Sequence, residues 1–383
     1  MNRFQPARLL LDGYDFIRRE CDRRGTDVFA TRLGPVPVIC MRGSAAGQIF
    51  YSDRFQRSGA MARRVRRTLL GEGGVQGLDG PAHRHRKALF LSLMTPDALD
   101  ELATLTRHEW DKAIERWQRE EEPVVLLDAA GQLLCRAVHT WAGVPLTESE
   151  VAARTAQLHA LIDSPAKIGP PHWRGRIARA RADHWASQLI EDVRAGVLTA
   201  PEGRALHTIA AHRDHEDQLL APDIAAVELL NVLRPTVAID RFITFAALAL
   251  VEHPDWRERL RSDDTAIDWF VQEVRRYYPF FPAAAARVRT SFDWHGVHFP
   301  AGRLVLFDLY GTNHRPDLWD QPHRFNPERF ADRDISPFEL VAQGGGEHAD
   351  GHRCAGEWLT IQQLAIAVRV LTRDIDYTVP PQD

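Results

Sequence analysis

The chain reads as a mainly α protein with a minor β portion. Helical periodicity continues from about Ala45 to Val271 with breaks only at prolines. Strand signals are confined to short runs near residues 28–41 and 292–307. At 383 residues with 44% hydrophobic content, the chain has ample material for a substantial core. No internal repeat or low-complexity linker interrupts it.

Residues 5–24 predict an opening helix. Val28 to Leu33 and Val38 to Met41 predict two strands joined through Gly34-Pro35. The helical stretch that follows is punctuated at Pro96, Pro123, Pro145, Pro165 to Pro171, Pro201, Pro222 and Pro254. One long helix is expected from about Asp223 to His253, kinked at Pro235, which removes its own N–H and displaces the carbonyl of Asn231. Strands return at Phe292 to Phe299 and Leu304 to Phe307, and a proline-bearing coil from Gly311 to Ser336 leads to a glycine-rich loop.

A net charge of −4 gives no bulk attraction to nucleic acid. The four cysteines are scattered without a CxxC pair, a pattern unlike a disulfide framework. The longest apolar run, Phe242 to Val251, is too short to span a bilayer. No signal-peptide core precedes the first helix, so a soluble cytoplasmic protein is expected.

The chemistry concentrates in four places. In the loop Gly344 to Gly356, five glycines surround Cys354, and an apolar helix from Trp358 to Leu371 follows directly. Helix N–H groups aimed at the sulfur favour a thiolate, which suits a proximal haem ligand. A buried incidental cysteine, or a zinc site from His348, His352 and Cys354 lacking a fourth ligand, are the other readings. On the 223–253 helix, Arg234 has Leu230, Val237 and Ala238 as helical neighbours. A guanidinium in that setting needs an anion, because an unpaired buried charge costs several kcal/mol. No acid lies at i±3 or i±4, so the partner is a distant carboxylate or a ligand carboxylate. Glu273 and Arg276 share a helix face, alone no more than a surface pair. The run Gly74 to Lys87 carries glycines into a helix on which His83 and Lys87 project together, either an exposed basic start or an anion site.

Together these residues resemble the cytochrome P450 superfamily along almost the whole chain. Glu273-Val-Arg-Arg276 matches its ExxR helix, Pro327-Glu328-Arg329-Phe330 its PERF-type segment, and His352 with Cys354-Ala-Gly356 its haem-ligand loop. Two departures from ordinary members stand out. Glu347 occupies the position seven before the cysteine where Phe is usual. Arg234-Pro235 replaces the acid–threonine pair of the distal helix. Both departures are similar to the fatty-acid peroxygenase branch, as are Val75 to Gly80 and Phe270 to Pro282.

The resemblance implies one haem domain over residues 1–383, with haem b between a long distal helix and the proximal cysteine loop. The C-terminal hairpin of relatives is expected to be absent after Val379-Pro380-Pro381-Gln382-Asp383. It implies hydrogen peroxide as oxidant and a long-chain fatty acid as substrate, with no redox partner. Hydroxylation at the 2- or 3-position, or decarboxylation to a terminal alkene, would follow. Carried onto this chain, Cys354 is the axial iron ligand, and Arg234 with Pro235 clamps the substrate carboxylate, which serves as general acid–base. Gln76 lies where alkene-forming members often have His, which favours hydroxylation. Arg57, His83, Lys87, Arg287 and His352 would contact haem propionates. Leu69, Leu70 and Phe281 would line the alkyl channel, and Glu273, Arg276 and Arg329 would form a structural charge network. The rival expectations are an NAD(P)H-fed monooxygenase, in which Thr236 would serve the missing relay, and a non-catalytic haem-binding sensor.

Overall fold

The computed structural model describes residues 11–120, 123–165 and 167–380. The chain divides into two compact units, the first made of Met1–Ala62, Gln76–Arg84 and Arg275–Ala355, the second of Arg63–Val75, His85–Val274 and Gly356–Asp383.

The first unit is built on a five-stranded sheet. Strands β1 (Val28–Leu33) and β2 (Val36–Arg42) pair antiparallel through the expected Gly34-Pro35 turn. Helix α1 (Phe16–Arg24) precedes them, after a single 3-10 turn at Gly13–Asp15. The expected opening helix is thus interrupted, and its part over residues 5–10 lies outside the described residues. Helix α2 (Ser44–Phe50) leads to the two-residue strand β3 (Phe55–Gln56). The remaining strands are β4 (Ala283–Val288), the hairpin β5 (Phe292–Trp294) and β6 (Val297–Phe299), and β7 (Leu304–Asp308). The sheet order is β1-β2-β7-β4-β3, with β2 and β7 parallel and Ile39 opposite Val305. Ile39, Met41, Phe50, Phe299, Val305 and Phe307 are fully enclosed in its core.

Strand β4 is a correction to the sequence reading, which placed no strand at Ala283-Ala284-Ala285-Ala286. Alanine favours helix, but here β7 supplies ladder partners for all four alanines while β3 pairs with Arg287 and Val288 at the strand's end, and neighbouring strands outweigh local preference.

The second unit is helical. Its elements include α4 (Pro96–Glu120), α5 (Leu126–Ala142), α6 (Glu148–Asp163), α7 (Pro170–Arg194), α8 (Ala205–Ala211), α9 (Pro222–Val237), α10 (Asp240–Glu252) and α11 (Pro254–Arg259). Several begin at the prolines that mark breaks in the sequence, because proline at the first helical position gives up only an N–H that had no partner. Helix α9 packs against both α5 and α7. Between Ala225 and Arg234 every one of its residues is buried, as expected of a helix covered on all sides.

The single kinked helix expected over 223–253 is two helices. Pro235 lies inside α9, but the chain leaves the helix only after Val237, where Ala238 N–H bonds Arg234 and Ile239 N–H closes a tighter turn onto Thr236. The lost Asn231 bond weakens this turn, and Asp240 fixes the restart. Its buried carboxylate meets His159 Nε2 at 2.5 Å and Arg241 Nη1 at 2.7 Å.

Four further helices complete this description. Helix α3 (Gly80–Leu93) and helix α12 (Asp264–Tyr277) each run from one unit's sequence into the other's. Helix α13 (Leu309–Asn313) and a 3-10 turn at Pro327–Phe330 interrupt the expected coil, and α14 (Glu357–Arg369) follows the cysteine loop and packs on α4. No described helix is long and apolar enough to cross a membrane.

Candidate functional site

In the first unit the site grows from the cysteine loop. Gly346 has φ +83°, a left-handed conformation that glycine adopts without strain, and its Cα faces the ring of Tyr51. The loop folds back so that Cys354 N–H donates to the carbonyl of Gln343 at 3.1 Å. Gln343 also points its side-chain Nε2 at Cys354 Sγ, 3.8 Å away, while Arg275 Nε donates to its Oε1. The arginine takes the oxygen, so the amide must offer its N–H groups to sulfur. Sequence reasoning passed over Gln343 and Arg275, because only folding brings the loop's entry and exit together. Cys354 is partly exposed, unlike Cys21, Cys40 and Cys135, which are buried. Among the described residues no group of three metal-ligating side chains occurs, so His348, His352 and Cys354 do not form the zinc alternative. His348 instead contacts the carbonyl of Ala355.

Four of the expected propionate ligands, Arg57, His83, Arg287 and His352, lie in this unit, and two of them, His83 and His352, meet. Their rings have centroids 3.8 Å apart and planes tilted by 31°. Asp79 accepts the backbone N–H groups of Arg57 and Ser58, and His352 Nε2 lies 3.8 Å from the same carboxylate. The Arg57 guanidinium lies over the rings of Phe50 and Tyr51, and its Nη1 is buried with no hydrogen-bond partner. Burial pushes its pKa down. An orphaned charged donor of this kind costs about 1–3 kcal/mol or more, and an anionic oxygen would relieve it. Arg287 instead spends two donors on the carbonyls of Gly59 and Gly302, each at 2.8 Å. Phe281 is exposed and meets Phe280 edge-on.

His83 and Lys87 are both buried on α3, so this stretch is no exposed basic helix start. Glu273 and Arg276 are likewise fully buried, not a surface pair, and Arg276 Nη1 donates to the carbonyls of Asn313 and Pro322. Arg329 bonds the carbonyls of Asp320 and Arg324. Gln76 is half-buried in a short 3-10 turn, Val75–Gly77.

In the second unit the site is the middle of α9. Arg234 is buried, and its guanidinium touches neutral acceptors: Nη1 donates to the carbonyl of Leu69, and Nη2 to Asn231 Oδ1 at 3.0 Å. Among the described residues no carboxylate lies within ion-pair distance of it. Burial, with the charge of Arg179 nearby, pushes its pKa down to about 9, so it remains a cation at neutral pH. Arg179 Nη1 donates to the same Leu69 carbonyl at 3.2 Å. Gly71 makes that approach possible: its φ is +88°, and a Cβ there would lie 2.2 Å from Arg179 Nη2. Leu69 is buried and Leu70 half-buried beside it. Thr236 donates its hydroxyl to the carbonyl of Val232, so that proton is already engaged within the helix.

Two acids belong to the cluster: Asp183, which pairs with Arg179 at 2.6 Å, and Glu228, fully buried about two turns before Arg234. Glu228 accepts from Val75 N–H at 2.9 Å, Arg86 Nη1 at 2.8 Å and Asn231 Nδ2 at 2.9 Å. A search for acids at i±3 and i±4 misses Glu228, because it lies outside that range and its hydrogen-bonded link to Arg234 runs through Asn231.

A family model described as Cytochrome P450 matches residues 244–383. Among solved structures, cytochrome P450SP alpha (CYP152B1) in complex with (R)-ibuprophen is 46% identical with a TM-score of 0.96, over all of this chain and 94% of that one. Cytochrome P450EX alpha (CYP152N1) with myristic acid is 44% identical with a TM-score of 0.95, over all of this chain and 92% of that one. A variant of cytochrome P450 OleT in complex with arachidonic acid is 35% identical with a TM-score of 0.95, over all of this chain and 92% of that one.

Proposed function

Because the chain belongs to the CYP152 peroxygenase branch of the cytochrome P450 family, we propose that it hydroxylates long-chain fatty acids at the 2- or 3-position with hydrogen peroxide. Like the rest of its family it is an oxidoreductase carrying haem b on a cysteine thiolate. In the proposed reaction one peroxide oxygen enters a C–H bond and the other leaves as water. Two solved relatives carry the fatty acids myristic and arachidonic acid, which supports this substrate class.

The observation that carries the reading is Arg234, a buried guanidinium satisfied so far only by neutral oxygens. A fatty-acid carboxylate is the anion it lacks, and a bidentate grip would fix the chain's first carbons. Leu69, Leu70 and Phe281 would line the alkyl channel, and Pro235 shapes the clamp. Thr236 is spent on its own helix, so the substrate carboxylate held by Arg234 is the available acid–base group. Gln76, in place of histidine, favours hydroxylation over loss of carbon dioxide to a terminal alkene.

The residues present fit the cofactor. Cys354 is the partly exposed cysteine and would be the axial ligand, with Gln343 directing an amide N–H at its sulfur. The orphaned Nη1 of Arg57 and the adjacent His83 and His352 would hold propionates, with Lys87 in the same role. Arg287 keeps two of its donor nitrogens on backbone carbonyls and has only the remaining one for such a contact. Bound haem supplies the iron at which peroxide is activated. We place the reaction in the cytoplasm, with no reductase and the whole chain acting as one haem domain.

The test is product analysis of haem-loaded protein given a long-chain fatty acid and hydrogen peroxide, without NAD(P)H. Mass spectrometry should find 2- or 3-hydroxy acids. Products that form only with NAD(P)H and redox partners would sink the proposal.

A further inference from the structure

We propose that Glu228, acting through Asn231, is a positioning residue that aims the Arg234 guanidinium for a single carboxylate orientation. The inference rests on the reading of Arg234 as the carboxylate anchor.

Glu228, Asn231 and Arg234 are spaced three apart along α9, so they stack on one face of two helical turns. Glu228 faces three donors at hydrogen-bond distance: the Val75 N–H, the Arg86 guanidinium and the Asn231 amide. Burial pushes its pKa up, and these three donors act against that shift. Glu228 serves all three as the acceptor. Asn231 must therefore present Nδ2 to Glu228, which turns its Oδ1 toward Arg234 Nη2. The amide has only one way round that satisfies both neighbours.

Arg234 is consequently held from two sides. Asn231 fixes Nη2, and the Leu69 carbonyl, itself braced by Arg179, fixes Nη1. Two restraints on a planar group set its plane as well as its place. That plane decides which hydrogens of a bound carboxylate's first carbons are presented, which is what regioselectivity requires.

In Glu228→Gln the new amide can donate to Asn231 Oδ1. Asn231 can then flip and offer Arg234 a donor where it needs an acceptor. Asn231→Ala removes the link while leaving the Glu228–Arg86 pair in place, so it decides the matter if the first variant folds poorly. The experiment is calorimetric titration of the haem-loaded protein with a long-chain fatty acid and with its methyl ester, alongside product analysis. Each variant is made in the wild type and in Arg234→Ala.

Both variants should weaken fatty-acid binding about tenfold, the worth of one charge-assisted hydrogen bond. The methyl ester should bind as before, and products should spread beyond the 2- and 3-positions. In the Arg234→Ala background neither change should have a further effect. Equal weakening of acid and ester, additional weakening in Arg234→Ala, or unchanged acid binding and product positions would overturn the inference. Undiminished acid binding in Arg234→Ala alone would instead remove the anchor reading, and the positioning role with it.

Discussion

Arg234 shows how one residue can be legible in part. Its apolar helical neighbours announce that a charge is buried, and the absence of an acid one turn away announces that its partner is remote or foreign. What the sequence hides is the neutral cradle, because the Leu69 carbonyl comes from a segment 165 residues earlier. Among the described residues the guanidinium meets only neutral oxygens, which supports the foreign partner of the two left open. Its pKa, pushed down to about 9, makes a pH prediction. Anion binding needs the protonated form and raises this pKa, so above about pH 9 binding must take up a proton. Fatty-acid affinity is expected to stay level from pH 7 to 8 and to fall as pH rises through 9, measured by titration calorimetry in buffers of differing ionisation enthalpy. A flat profile to pH 10 would mean the guanidinium is not the titrating anchor.

At the scale of elements, patterns confined to one segment were legible and those set by neighbours were not. The β1–β2 turn and the proline-started helices follow from local backbone chemistry. The alanine run of β4 depends on its pairing with β7, and the break after Val237 depends on how Asp240 is anchored. The joint between β7 and α13 has a testable consequence of its own. Asp308 caps α13 by accepting Gly311 N–H at 2.7 Å, while its Oδ2 is buried with no partner. Burial pushes its pKa up to about 7, against 3.8 for an exposed aspartate. Between those values the folded chain keeps a proton that the unfolded chain has lost, so stability declines as pH rises from about 4 to 7. Asp308→Asn can still cap and carries no charge. Its melting temperature should exceed the wild type's at pH 8 and lose that advantage at pH 4. An advantage of equal size at both pH values would show that the carboxylate's ionisation is not responsible.

For the whole molecule, fold class and family were readable because the diagnostic residues are few, ordered and widely spaced along the chain. Glu273, Arg276, the 327–330 turn and Cys354 constrain one another in sequence even where no local pattern does. The support behind them was not readable. Gln343 turns its amide N–H toward Cys354 because Arg275 takes its oxygen, and Glu228 is hydrogen-bonded to Arg234 through Asn231. Such second partners are ordinary polar residues whose meaning appears once the chain is folded. They bear on the central claim, that a substrate carboxylate completes a site the protein leaves without an acid–base group. The most direct measurement compares peroxide-driven turnover of a long-chain fatty acid with that of its methyl ester, using wild-type haem-loaded protein and no NAD(P)H. The account predicts hydroxylation of the acid and a rate lower by about a hundredfold or more for the ester, which can neither pair with Arg234 nor shuttle a proton. Comparable turnover of acid and ester would contradict it.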